Sequence, residues 1–130
     1  MSTYCTKADI EQVFGTTNVS KWADLDNDSD ATKIANRIAA AIAYASEVID
    51  DVLRCTSYLI PAATAAGATP TTIKDLTAKI AGIWLYEARG SHDFDGNSGQ
   101  PYHRYAWVRR DCMRTLENIR TGRRKLDAVS

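Results

Sequence analysis

Apolar residues recur at steps of three and four along most of this chain. The clearest run extends from Ala31 to about Arg54, where Ile34, Ile38, Ile42, Ala45, Ile49 and Val52 trace one helical face. Alanines at 35, 39, 40, 41 and 43 widen that surface and keep it low, so a neighbouring backbone can approach closely. A charge placed on the stripe, as in Ile42→Asp, is therefore expected to unfold the domain. A shorter helix is expected after Thr6, with Asp9 three residues on as its capping partner. Ile10, Val13 and Phe14 form its apolar side and Gly15 its stop. Residues 16–29 read as a polar loop containing Trp22.

The later elements follow the same period. Residues 55–69, with Pro61 and Gly67, read as a connection, and Thr69 with Pro70 as an N-cap and first helical position. A third helix then runs to about Arg89 with Ile73, Leu76, Ile80, Ile83, Trp84 and Leu85 inward. "GSHDFDGNSGQP", residues 90–101, is a loop by composition. A fourth helix turns Tyr105, Val108, Cys112, Leu116 and Ile119 inward and stops at Gly122. The expected fold class is all-α: a small bundle of about four helices with a long central helix, a long loop before the last helix and an extended C-terminal tail. Residues 1–121 form the helical domain and 122–130 a basic tail with no core signal of its own, whose removal is expected to leave the fold intact.

Composition changes this picture little. With 130 residues, 45% of them hydrophobic and 25% charged, the chain fits one globular domain able to bury a core. No apolar run is long enough to span a bilayer, and no secretory signal is expected at the N-terminus. Three widely spaced cysteines, Cys5, Cys55 and Cys112, suit neither a disulfide framework nor a zinc site, which points to a reduced cytoplasmic setting during folding. Charge does alter the reading. The formal net charge is zero, yet residues 101–130 hold eight basic residues (Arg104, Arg109, Arg110, Arg114, Arg120, Arg123, Arg124, Lys125) against three acidic ones (Asp111, Glu117, Asp127). An acidic body with a basic end suggests self-complementary contact, an acidic partner or nucleic acid.

The stretch "DLDNDSD" sets Asp24, Asp26, Asp28 and Asp30 at every second position. A calcium loop needs glycine at its sixth position and a bidentate glutamate at its twelfth. Counting from Asp24, those positions are Ser29 and Ala35, so the turn and the bidentate ligand are both missing. A cap is the better reading: Ser29 or Asp30 caps the long helix, and the other carboxylates favour its positive end. "DFDGN", residues 93–97, fails the same test, with Arg104 at position twelve. His92 and His103 stand eleven residues apart with no glutamate spaced to complete a helical metal motif. Cys112 lies on the apolar face of its helix and is expected to be an inert core thiol. Asp50 and Asp51, late in the long helix where the dipole disfavours them, have no explanation at this level. No catalytic, cofactor or metal site is expected, and the chain does not read as an enzyme.

"YCTKADIEQVFG", then "LDNDSDATKIANRIAAAIAYASEVIDDVL", "YLIP", "LTAKIAGIWLYEAR", a loop and "LENIRTGRRKL" together resemble the Mu-type phage connector family, related to the small helical head–tail adaptor (head completion) proteins of tailed phages. The likeness spans nearly the whole chain. It implies a structural virion protein at the head–tail interface. Such a protein forms a homo-oligomeric ring, normally dodecameric, under the portal protein. The ring extends the DNA conduit, passes phage DNA without reading its sequence, and offers a docking surface to the stopper or tail-completion protein. No cofactor and no membrane are implied. Arg120, Arg123, Arg124, Lys125 and Leu126 are the residues expected to meet a partner. Two other classes stay open on the residues alone: a small helical DNA-binding protein using the basic C-terminal third, and a calcium-responsive module.

Overall fold

The computed structural model describes residues 3–88, 93–94, 101–102 and 105–130. Five helices make up the described fold: α1 (Lys7–Phe14), α2 (Thr16–Ala23), α3 (Ala31–Leu53), α4 (Thr71–Ala88) and α5 (Ala106–Arg120). Between α4 and α5, β1 (Asp93–Phe94) and β2 (Pro101–Tyr102) form a two-residue antiparallel pair. The all-α bundle with a long central helix is what the periodicity predicts.

The N-terminal helix forms as its sequence dictates. Thr6 and Asp9 make a reciprocal capping box, and Gly15, at φ +93°, ends the helix. That same glycine is the cap from which α2 departs, and here the expected loop over 16–29 is corrected. Residues 16–23 are helical because Val19, Trp22 and Ala23 find a core to enter. Trp22 meets Phe14, Tyr86 and Tyr105 edge-on, with ring centroids 5.2–5.5 Å apart. Such aromatic contacts between α1, α2, α4 and the start of α5 are set by distant residues, and no eight-residue window displays them.

The long helix packs most extensively on α4. Its fully buried line is Ile38, Ala41, Ala45, Ile49 and Leu53, while Ile34, Ile42, Val48 and Val52 are partly covered. The face is thus rotated from the isoleucine stripe toward the alanines. Small side chains admit the neighbouring helix, so the low side becomes the interior, and Ile42 is displaced to its margin. In α4 ten of the eighteen positions are buried, among them Ile73, Leu76, Thr77, Ile80, Gly82, Ile83, Leu85 and Tyr86. Gly82 is required by close approach: a Cβ there would stand 2.1 Å from Cε2 of Phe14. The helix starts at Thr71, two residues after the expected cap, with Lys74 N–H donating to the Pro70 carbonyl at 3.0 Å. On α5, Cys112, Leu116 and Ile119 are buried as their spacing predicts.

The two late aspartates of α3 now have a reason. Asp50 is 2% exposed and accepts a hydrogen bond from the Tyr4 hydroxyl. That hydroxyl also accepts from the Ala62 N–H at 2.9 Å, and the Tyr4 N–H donates to Ser46 Oγ at 3.3 Å. Asp50 therefore fastens the N-terminal segment and the 54–70 connection, which contains a cis Ile60–Pro61 bond, to the same helix. Asp51 and Glu47 pair with Arg54 at the exposed C-terminal end.

Candidate interaction surface

The sequence offers three places where function could reside: the aspartate turn, the buried thiols and the basic tail. The turn closes on itself. Asp24 accepts from the N–H groups of Asp28 and Ser29, both at 3.2 Å, and Asp28 accepts from Asp30 N–H at 3.1 Å. Asp30 is the N-cap of α3, accepting from Thr32 and Lys33 N–H at 2.9 and 3.2 Å. The Lys33 ammonium reaches back to Asp26 at 3.2 Å and Asp28 at 2.8 Å. It thus stands where a bound cation would draw these carboxylates together. The same contact holds the Asp28 carboxyl below its usual range. Asn27 and Ser29 take up positive φ, at 54° and 55°, to make the turn. Serine supplies the conformation that glycine would adopt without strain.

The thiols of Cys5 and Cys112 are buried, and burial pushes both up to about 11. They are protonated at neutral pH and poor nucleophiles. His92, His103 and the side chains of "DFDGN" lie outside the described residues. Among the described residues, no group of three or more His, Cys, Asp or Glu could hold a metal ion.

The C-terminal segment differs most from its sequence reading. Gly122, at φ +81°, reverses the chain, and the N–H groups of Gly122 and Arg124 return to the Ile119 and Asn118 carbonyls at the end of α5. The chain then runs back as a strap across the 54–70 connection. Leu126 N–H donates to the Tyr58 hydroxyl at 2.7 Å. Leu59 N–H donates to the Val129 carbonyl at 3.0 Å, and Val129 N–H donates to the Ala63 carbonyl at 2.8 Å. The Leu126 side chain is only 9% exposed and joins the core, with Ala128 packed beside it. A tail free of the core is therefore corrected to a strap bound to it. Leu126 anchors the strap from within and offers little surface to a partner.

The other four tail candidates are brought to one end of the molecule. Arg120 forms a two-pronged ion pair with Glu117, one contact at 3.0 Å. Arg124 reaches Thr72 Oγ1 at 3.5 Å. Arg123 and Lys125 are exposed and form no ion pair with any described residue. A groove between the connection and the strap is lined by Thr56, Tyr58, Ile119, Arg120, Lys125 and Ser130. Close by, Leu59, Ile60 and Val129 are 56%, 40% and 40% exposed. Sequence reasoning found the charges. It missed the apolar members, because their neighbours lie about seventy positions away along the chain.

A comparison with protein families supplies what the geometry does not. The family model described as bacteriophage Mu, Gp36 matches residues 4–130. The chain belongs to the bacteriophage Mu Gp36 family. No curated protein matches it. The Gp36 match includes both the Tyr4 that grips Asp50 and the strap through residue 130. Strap and helices are thus one family unit, in keeping with the hydrogen bonds that join them. No described helix of this Gp36-family chain is long and apolar enough to cross a membrane.

Proposed function

We propose that this phage protein is a head–tail adaptor: a non-catalytic virion subunit that forms a ring beneath the portal, continues the DNA conduit, and presents a docking surface to the stopper or tail. The observation that carries the reading is membership of the Mu Gp36 family across residues 4–130. The strap end supports it, since the strap carries the exposed cations Arg123 and Lys125 together with exposed Val129, which is hydrogen-bonded to exposed Leu59 beside Ile60. Cations that border apolar surface suit a protein interface, where the apolar part supplies affinity and the charges set register and rate. Arg120, Arg123, Arg124 and Lys125 are its proposed polar contacts.

The test is electron microscopy of the full chain mixed with the portal protein of the same phage. A ring seated on the portal's tail-facing side is the expected result. A chain that leaves the portal bare, yet binds duplex DNA with an affinity that falls steeply with salt, would instead establish the small DNA-binding reading.

A further inference from the structure

The exposed cations and apolar residues of the strap end have a complement elsewhere on the same chain. At the opposite end of α3 the aspartate turn carries Asp24, Asp26, Asp28 and Asp30, and the Lys33 ammonium pairs with Asp26 and Asp28. Leu25 projects from that turn, 43% exposed. Beside it a groove is lined by Ala23, Leu25, Asn36 and Ala40 together with the turn carboxylates, Lys33 and Arg37. Arg37 lies over the Trp84 ring, 4.2 Å from its centroid, and makes no ion pair with a turn carboxylate; among the described residues lining the groove, carboxylates outnumber the cations Lys33 and Arg37. The strap end has the reverse pattern. Arg123 and Lys125 form no ion pair with any described residue, and Asp127 is the one acidic side chain of residues 123–130.

We infer that the strap end of one copy docks on the aspartate turn of a second copy, with Arg123 and Lys125 facing the turn carboxylates and Leu25 meeting the apolar surface of Leu59, Ile60 and Val129. The occupant is a second copy because the complementary surface is on this chain, opposite in charge and carrying the exposed Leu25 to meet the apolar residues of the strap end. Position argues the same way. The two surfaces sit at the two ends of a 23-residue helix, about 35 Å apart at 1.5 Å per residue. One copy cannot satisfy both surfaces by folding on itself. A contact between unlike surfaces is head-to-tail, and head-to-tail contacts close into rings when the rotation between copies permits. The inference rests on the adaptor reading only for the ring's place in the virion. The contact itself is a property of the isolated chain.

Sedimentation velocity on the full chain, at low and high salt, tests it. The wild type is expected to self-associate at low salt, and more weakly as salt rises. Lys125→Glu and Asp26→Lys are each expected to weaken association by about tenfold or more, since each places like charges face to face. The double variant, with the charges exchanged, is expected to recover it. Asp26 is chosen because, among the described residues, its carboxylate pairs with Lys33 and accepts from no backbone group of the turn, so the turn survives the change. Circular dichroism and melting check that each variant is folded. A wild type that stays monomeric at millimolar concentration and low salt overturns the inference. So does a Lys125→Glu variant that associates as the wild type does, or a double variant no better than the singles. If Lys125→Glu instead abolishes binding of a short duplex while self-association is unchanged, the strap is a nucleic-acid surface and the inference falls. Recovery in the double variant, together with a portal left bare in the microscope, would sustain the contact and remove the adaptor role.

Discussion

The two ends of α3 are built by different means. At the N-terminal end the aspartate turn is held by groups two to seven residues apart: Asp24 with Asp28 and Ser29, Asp28 with Asp30, Lys33 with Asp26 and Asp28. At the C-terminal end the strap is held by groups about seventy residues apart, through Leu126 on Tyr58 and Val129 between Leu59 and Ala63. The turn is a local structure that the chain can form as soon as those residues are joined. The strap exists only once the helices have packed, because α5 must lie beside the connection before residue 126 can reach residue 58. Variants at the two ends should therefore have unlike consequences, and the helix between them sets the upper limit.

The largest effect is expected in that shared helix. Ile49 is fully buried, and Ile49→Asp places an unpaired charge in the interior at a cost of several kcal/mol, comparable with the stability of a domain this size. No cooperative melting transition should remain. Ile42→Asp, at the margin of the same helix, should retain one with a lowered midpoint. Equal behaviour of the two variants would put the buried face back on the isoleucine stripe.

Removing the strap comes next. A chain ending at Gly122 loses the burial of Leu126 and the hydrogen bonds to Tyr58, Leu59 and Ala63. Loss of one buried leucine costs about 2–5 kcal/mol, so the melting temperature should fall by roughly 10 °C. A truncated chain that melts within a degree or two of the full one would return the tail to the status of a free segment. Tyr58→Phe isolates one of those bonds. It leaves the Leu126 N–H without its acceptor and should cost about 1 kcal/mol in denaturant unfolding. A chain unaffected by this change would show that Leu126 burial alone retains the strap.

These expectations also show what could be read from the sequence and what could not. The cap at Thr6, the stop at Gly15, the cap at Asp30 and the buried face of α5 are local or periodic features, and the letters display them. Four contacts stayed hidden for one physical reason. Trp22 makes a helix of a polar-looking stretch by meeting Phe14, Tyr86 and Tyr105. Gly82 is needed because a ring from α1 lies on it. Asp50 is buried because Tyr4 arrives from 46 residues away. Leu126 enters a core of residues far from it in sequence. Each depends on tertiary neighbours, which periodicity cannot name. At the candidate surface the same division holds. The cations of the tail were legible as a charge surplus, whereas Leu59, Ile60 and Val129 became part of one surface only when the strap folded back.

The smallest effects belong to the turn, and they test whether it is as local as it looks. Ser29 holds φ +55° without being glycine. Ser29→Gly removes that strain but adds freedom to the unfolded chain, so a net gain of about 0.5 kcal/mol is expected, seen as a slightly higher urea midpoint. The ion pairs around Lys33 should contribute less still, because all three groups are exposed and water screens them. The pH dependence has a definite sign. Lys33 holds the folded-state pKa of Asp28 below its unfolded value, chiefly by a hydrogen bond. The stabilisation from this pair is therefore present above the unfolded value, near 3.8, and is lost as pH falls through the lower folded value. Melting curves of the wild type and Lys33→Met should differ slightly at pH 7 and converge in that acid range. The difference should also shrink in high salt, as expected for exposed charges. If it instead widens on acidification, or persists in molar salt, Lys33 supports the turn by packing and not by its charge, and the locally satisfied electrostatic turn described here is wrong.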